Sequence, residues 1–219
     1  MIDIYRKHYA ELQFERAGLF ELVQQTFHST QVLYPGCFVH ITPSLYFPHV
    51  VYLDQSPEAQ TFFADLENVS QYVDRNKRYR RSAYIRFIAQ DFTDPLPLPQ
   101  GSFDQLISLF TAGVASACQG YLKPGGLLLT NRHRETKTID FELVSTVRYR
   151  SGRYRLIKGD QAGQLVARSD LKQAKRHLRQ GARGLQYSEN ETYFLYKKKT
   201  VARLMSLSSP TVSVPILCQ

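Results

Sequence analysis

The sequence predicts an α/β fold in which a mostly parallel, open sheet carries helices on both faces and ends in an antiparallel C-terminal portion. Between residues 31 and 130, short apolar runs alternate five times with helical or irregular stretches, as in parallel sheets whose strands are joined by helices. The apolar run Leu127–Thr130 is typical of a strand buried on both faces. After Asn131 the pattern changes to two strand-like runs around Ser151-Gly152, which indicate a hairpin.

The same patterns predict the individual elements. Residues 4–27 show apolar side chains near helical spacing and predict one N-terminal helix. Ser56-Pro57-Glu58 predicts a helix start, because a hydroxyl cap, a proline and a carboxylate follow in order. Ser169-Asp170 predicts a helix that runs to about Gln180 and ends at Gly181 and Gly184. The predicted strands are 31–34, 49–53, 83–89, 103–110, 127–130, 141–149, 154–158 and 192–198.

Length and composition predict one intracellular domain. We expect a single α/β domain over residues 1–203 and a loosely held, Ser- and Pro-rich tail over residues 204–219. The N-terminus is charged, and no apolar run approaches the ~20 residues that span a bilayer, so we expect a cytoplasmic protein without membrane contact. Three widely spaced cysteines also favour a reducing compartment.

Positive charge is concentrated in the last two-fifths of this basic chain. Residues 1–131 carry 10 Lys or Arg and 12 Asp or Glu, whereas residues 132–219 carry 18 and 7. Such asymmetry favours an anionic partner, and nucleic acid is the candidate; a solvated surface is the alternative explanation. Tyrosines interleave with these basic residues, and we expect most of them to pack between strands rather than to stack on bases.

Polar and small residues follow each of the first four predicted strands. In an open parallel sheet, ligands bind at the carboxyl ends of the strands, near the point where the strand order reverses. One carboxylate there can hold a ribose diol, and another can accept a hydrogen bond from an adenine amino group. We therefore expect a site for an adenosine-containing ligand, built from Tyr34, Gly36, Asp54, Gln55, Asp91, Phe92 and Ser108.

Four segments resemble the motifs of the class I S-adenosylmethionine-dependent methyltransferases, in order and at workable spacing over about residues 20–131. They are VLYPGC, VVYLDQSPEA, QDFTDPLPLPQGSFDQLISLF and YLKPGGLLLTN. The resemblance implies a Rossmann-like methyltransferase fold and S-adenosylmethionine as cofactor. It also implies that Asp54 holds the ribose hydroxyls and that Asp91 and Phe92 border adenine. Residues 141–198 match the antiparallel end of that fold more loosely.

The first motif departs from the family pattern at three positions. The family usually has an acidic residue where this chain has Tyr34, and glycines where it has Phe38 and His40. The Phe38 ring either occludes the methionine end of the cofactor or points away from it. The amino-methylating DNA and RNA enzymes of the family often carry an Asn/Asp-Pro-Pro-aromatic element after strand four. This chain has Ser108-Leu109-Phe110-Thr111-Ala112-Gly113 there, which disfavours methylation of exocyclic amino groups of bases.

Two functions are consistent with these residues. The first is a methyltransferase-like enzyme that acts on RNA or another anionic acceptor. The second is a non-catalytic module of the same fold, which binds nucleic acid or a protein partner through its basic C-terminal part. The histidines lack metal-ligand spacing, so no metal site is expected, and no residue is assigned as catalytic. A Walker loop and a repeated-glycine dinucleotide fingerprint are both absent from the sequence.

Overall fold

A large mixed sheet forms the centre of the molecule in this computed structural model. The structure describes residues 2–109, 111–132, 140–150, 152–158 and 192–200, and the backbone of 177–181 and 184–188. Its strands are β1 (Gln31–Pro35), β2 (His49–Leu53), β3 (Tyr84–Ile88), β4 (Phe103–Ser108), β5 (Leu122–Thr130), β6 (Phe141–Arg150), β7 (Arg153–Lys158), β8 (His177–Gly181), β9 (Gly184–Ser188) and β10 (Thr192–Lys198).

Eight of these strands form the sheet in the order β3-β2-β1-β4-β5-β10-β6-β7. The first five are parallel to one another, whereas β10 runs antiparallel to both β5 and β6, and β7 runs antiparallel to β6. The order reverses between β1 and β4, which places the topological switch point at their carboxyl ends. The predicted fold class, a mostly parallel sheet with an antiparallel C-terminal portion, is confirmed.

Helices cover both faces of the sheet. They are α1 (Ile2–Tyr5), a π-helical turn (Arg6–Ala10), α2 (Ala17–Phe27), a 3-10 turn (Thr42–Leu45), α3 (Pro57–Ala64), α4 (Leu66–Asn76), α5 (Val114–Cys118) and a 3-10 turn (Gln119–Tyr121). The start of α3 is as predicted, because the Ser56 side chain accepts a hydrogen bond from the Ala59 amide and Pro57 takes the first helical position. Within the described ranges, every helix is too short or too polar to cross a lipid bilayer.

Alternating side chains of the strands form two apolar clusters. Val32 and Tyr34 of β1 lie in the cluster beneath α2, α3 and α4. Leu33, between them in sequence, lies in the cluster that contains Val114 and Cys118 of α5. Successive residues of a strand point to opposite faces, so both faces of the sheet are buried.

The predicted single helix over residues 4–27 is wrong. Helix α1 and the π-helical turn end at Ala10, and α2 begins only at Ala17. Between them, Gln13 and Arg16 adopt left-handed backbone conformations, with φ of 54° and 56°. The buried Arg16 side chain donates from Nε to the Tyr193 hydroxyl at 2.7 Å. Such tertiary hydrogen bonds outweigh the local helical pattern, because propensity contributes only tenths of a kcal/mol per residue, about 0.7 at most for ordinary residues.

The predicted helix from Ser169 to about Gln180 is wrong in the part that the structure describes. Residues His177–Gly181 form β8, which pairs antiparallel with β9. Gly181 and Gly184, predicted as the helix end, are instead the partners that close this hairpin. Residues 169–176, Phe110 at the end of the fourth predicted strand, and the tail over residues 204–219 lie outside the described residues.

Candidate functional site

The candidate residues from the first three strands lie along one edge of the sheet. Pro35 at the end of β1 is the register partner of Leu53 in β2, and Leu53 is the partner of Ile88 in β3. The loops that follow these strands therefore begin side by side. The Gly36 amide donates to the Leu53 carbonyl at 2.8 Å, and the Asp54 amide donates to the Ile88 carbonyl at 3.3 Å, so the first residue of each loop continues the ladder.

The Asp54 carboxylate organises the loop that follows β1. Its Oδ2 accepts a hydrogen bond from the Phe38 amide at 2.7 Å, and its Oδ1 accepts one from the Ser56 amide at 2.8 Å. An ionised carboxylate offers about four acceptor positions. Two of them serve the backbone, and the half-buried side chain retains acceptor capacity for the hydroxyls of a sugar.

Gln55 and Asp91 form a second polar pair at the same edge. The Asp91 Oδ1 accepts from the amide and the hydroxyl of Thr93, at 2.9 and 2.8 Å. The backbone hydrogen bond from Thr93 is the main cause that lowers the pKa of Asp91, followed by the Thr93 hydroxyl, and the Gln55 side chain adds a further hydrogen bond. Asp91 is therefore an ionised acceptor at neutral pH. The structure thus brings Asp91 together with Gln55, which is the residue after Asp54.

Phe92 and Ser108 take different positions. The Phe92 ring is partly buried and lies 4.0 Å from the place that a Cβ on Gly113 would occupy, at the start of α5. Ser108 is completely buried, as is its register partner Thr130 on β5. The Phe92 ring can border a ligand at the strand ends, whereas the Ser108 side chain lies inside the sheet.

Gly36 lies at the switch point in a conformation that requires glycine. Its φ is +63°, and a Cβ at this position would meet the Cβ of Thr111 at 2.9 Å. Real Cβ atoms do not approach so closely, so only glycine lets Thr111 of the β4–α5 loop rest on the β1 loop. The sequence did not indicate Thr111, because its contact with Gly36 joins two distant loops.

Phe38 adopts a backbone conformation that favours glycine. Its φ is +49°, in the left-handed region, where a side chain costs ~1–2 kcal/mol. Its partly buried ring packs against the large apolar cluster and meets the His8 ring edge-on, with centroids 5.4 Å apart. The loop therefore has a glycine-type backbone conformation at Phe38, while the Phe38 side chain contacts the N-terminal segment.

Hydrogen bonds link Tyr34 through His40 to the N-terminal segment. The buried His40 bonds through Nδ1 to the Tyr34 hydroxyl at 3.0 Å and through Nε2 to the Glu15 carbonyl at 3.1 Å. A carbonyl only accepts, so Nε2 carries the proton and the Tyr34 hydroxyl donates to Nδ1. Burial, with Arg16 nearby, lowers the pKa of His40 to about 3 and keeps this imidazole neutral.

The N-terminal segment, residues 2–16, covers this side of the β1 loop. The Tyr9 ring stacks on His40 with centroids 4.3 Å apart. The completely buried Tyr5 hydroxyl bonds to the Glu15 carboxylate and, at 2.9 Å, to the Thr42 hydroxyl. Sequence patterns missed this cover, since no local signal marks aromatic residues that meet a loop 30 positions away. The aromatic positions of the first motif thus belong to the protein's own core.

Comparisons with known proteins concern the fold. No protein family model and no curated protein sequence matches the chain. One solved structure, from work on the conversion of a disulfide bond into a thioacetal group during echinomycin biosynthesis, is 11% identical, covers 86% of each chain and has a TM-score of 0.51.

Two further solved structures have TM-scores just below one half. An S-adenosylmethionine-dependent methyltransferase from Thermotoga maritima, described as a possible histamine N-methyltransferase, is 11% identical over 91% of this chain and 96% of its own, with a TM-score of 0.49. A protein of Bacillus halodurans, described as a putative methyltransferase, is 12% identical over 83% of this chain and 99% of its own, with a TM-score of 0.48. From its strand order and its antiparallel end, the chain has the fold of the class I S-adenosylmethionine-dependent methyltransferases.

Proposed function

We propose that this protein binds S-adenosylmethionine at the carboxyl ends of β1 to β4 and transfers its methyl group to an anionic acceptor, with RNA as the candidate. The carboxylates of Asp54 and Asp91 carry the proposal. They follow neighbouring parallel strands, and the Gln55 side chain, next to Asp54, lies beside Asp91. The fold binds ligands at this edge of the sheet.

The adenosine half of the cofactor fits these residues. The free acceptor positions of Asp54 would take the ribose hydroxyls, and Asp91 would accept from the adenine amino group. The Phe92 ring would lie against the base, and the backbone of Gly36 allows close approach because it carries no side chain. Tyr34 and Ser108 are buried and would shape the floor of the site rather than touch the nucleoside with their polar atoms.

Held by Asp54, Asp91 and Phe92, the cofactor would supply an electrophilic methyl group on a sulfonium sulfur, with a thioether as the leaving group and the acceptor's proton passing to solvent. Such an in-line displacement needs positioning more than acid–base chemistry. The contribution of this chain would be a rigid loop. The Asp54–Phe38 hydrogen bond and the Thr111–Gly36 contact hold its backbone.

The second candidate is a non-catalytic binding module on the same fold. One observation favours it: aromatic side chains of the N-terminal segment pack on Phe38 and His40, where the family pattern has glycine. If these rings fill the place of the methionine moiety, the chain would use its basic C-terminal part for binding alone.

Calorimetric titration with S-adenosylhomocysteine distinguishes the two functions. We expect the wild-type protein to bind it, and Asp91→Ala to weaken binding by about tenfold or more through the loss of a hydrogen bond to a charged group. Asp94→Ala is the matched control, because Asp94 is an exposed carboxylate in the same turn, and it should bind like the wild type. Lack of binding at millimolar ligand would refute the enzyme and leave the module.

A further inference from the structure

Four arginines lie together on the hairpin at the edge of the sheet. Arg148 of β6 is directly opposite Arg155 of β7, and Arg150 is directly opposite Arg153. Directly opposed residues of an antiparallel pair project from the same face, as do residues two apart in a strand. All four side chains are exposed, and together they form one surface, the four-arginine face.

The opposite face of this hairpin packs against the protein. Tyr149 and Tyr154 are opposed partners with ring centroids 4.6 Å apart. The Tyr154 ring also lies 3.0 Å from the place of a Cβ on Gly18 in α2, so the glycine lets this helix approach the hairpin closely. Because Tyr154 is held against α2 and Tyr149 packs on it, the alternation of the strands directs the arginines to the other side.

In the described part of the chain, the four arginines are not held by ion pairs. Among the residues that the structure describes, no carboxylate lies within ion-pair distance of any of the four. Like charges directly opposite each other destabilise a sheet. The two arginine pairs therefore repel across the hairpin, and this repulsion would be relieved by an anion that binds between them.

We propose that the four-arginine face binds the phosphodiester backbone of nucleic acid. The arginine positions are about 4.8 Å apart across the strands and about 6.8 Å apart along them. A nucleic acid strand presents one phosphate per ~3.4 Å of helix axis, so flexible arginine side chains span two or three successive phosphates. Each planar guanidinium can bind a phosphate with two hydrogen bonds.

The surroundings of the face favour a nucleic acid over a membrane and favour backbone contact over base stacking. In the described part of the chain, Tyr84 on β3 is the one large apolar side chain that is exposed, and β3 is at the far edge of the sheet. Among the described residues, no fully exposed large apolar side chain that could enter a bilayer lies beside the arginines. Tyr193 and Tyr196, which interleave with the basic residues in sequence, are buried, so they are not available to bases.

This inference deepens the proposed anionic partner but does not depend on methyl transfer. Loss of S-adenosylhomocysteine binding would refute the proposed enzyme and leave the four-arginine face untouched. Loss of nucleic acid binding would refute the face and leave the cofactor site untouched.

Two charge-matched variants test the proposal by fluorescence anisotropy with RNA and DNA duplexes of about 20 base pairs. Arg148→Gln/Arg155→Gln removes one opposed pair. Arg80→Gln/Arg81→Gln removes the same charge from the exposed turn between α4 and β3 and serves as the control. We expect the first variant to weaken binding by about tenfold or more and to lower the slope of log Kd against log salt by about 2, at roughly 0.9 per phosphate contact. The control variant should keep the wild-type affinity and the wild-type slope of log Kd against log salt.

Arg150→Gln/Arg153→Gln gives an independent repeat with the second pair, and the thermal midpoint of each variant should equal or exceed that of the wild type, because repulsion is relieved. Binding of either duplex that depends on the two hairpin pairs supports the proposal. An equal loss in the hairpin and control variants would attribute binding to overall charge and overturn it. Binding to phosphatidylserine vesicles without binding to either duplex would overturn it in favour of a membrane surface.

Discussion

Phe38 offers a direct test of the strained loop that follows β1. Phe38→Ala and Phe38→Gly both remove the aromatic ring. Because the ring is half-buried, its loss should cost about 1–1.5 kcal/mol of unfolding free energy in each variant. The two variants differ in the backbone. At a φ of +49°, alanine still pays the left-handed penalty of ~1–2 kcal/mol, whereas glycine does not.

We therefore expect Phe38→Gly to be more stable than Phe38→Ala by about 1 kcal/mol. At an ordinary helical position the order is reversed. Gln71 is exposed in the middle of α4, and there alanine should be more stable than glycine by about 1 kcal/mol. The opposite order at the two positions separates backbone strain from the general cost of glycine.

Urea unfolding followed by circular dichroism measures all four variants, and equal m-values would make the midpoints comparable. If Phe38→Ala proves more stable than Phe38→Gly, the loop does not hold the left-handed conformation and the reasoning is wrong. The same two variants carry a functional readout. If the ring limits access to the strand ends, both should bind S-adenosylhomocysteine more tightly than the wild type.

Three further substitutions test other contacts by the same unfolding assay. Gly36→Ala should lower the free energy of unfolding by about 2–4 kcal/mol through strain and overpacking, and adding Thr111→Gly should restore part of that loss. If the effects of the two substitutions on unfolding free energy simply add, the contact between the two residues is contradicted. The pKa of His40 is lowered to about 3, so its contribution to the free energy of unfolding is complete above pH 6.5 and is lost as the pH falls towards 3. His40→Gln should therefore reduce the slope of the unfolding free energy against pH by about 1.4 kcal/mol per pH unit between pH 6 and 5. An unchanged slope would refute the burial of a neutral His40. Asp104→Ala should lower the free energy of unfolding by about 2–3 kcal/mol, because the Thr30 and Gln31 amides and the Lys123 ammonium lose their hydrogen-bond acceptor. Asp94→Ala should change the free energy of unfolding little.

The sequence predicted the parts of this protein that depend on local pattern. Parallel strands, the Ser56-Pro57 helix start and the carboxylates that follow β2 and β3 are each encoded within a few residues. A strand end fixes the position of Asp54 and Asp91, because neighbouring parallel strands deliver their carboxyl ends to one edge.

The parts that the sequence did not predict depend on distant contacts. Residues 4–27 have helical spacing, yet the chain turns back at Arg16 because hydrogen bonds to Tyr193 and His40 fix that region. Thr111 reaches Gly36 from a loop 75 positions away, and no pattern in either loop indicates the other. The Phe38 substitution was visible in the sequence, but its left-handed backbone was not, because it follows from the Asp54 hydrogen bond.

The central claim is that the carboxyl ends of β1 to β4 hold an adenosine moiety. A crystal structure of the protein soaked with S-adenosylhomocysteine tests it most directly. We expect the ribose hydroxyls within hydrogen-bond distance of Asp54 and the adenine ring between Asp91 and Phe92. A nucleoside bound elsewhere, or a strand edge that stays closed by the side chains of Thr111 and Phe38 at millimolar ligand, would contradict it.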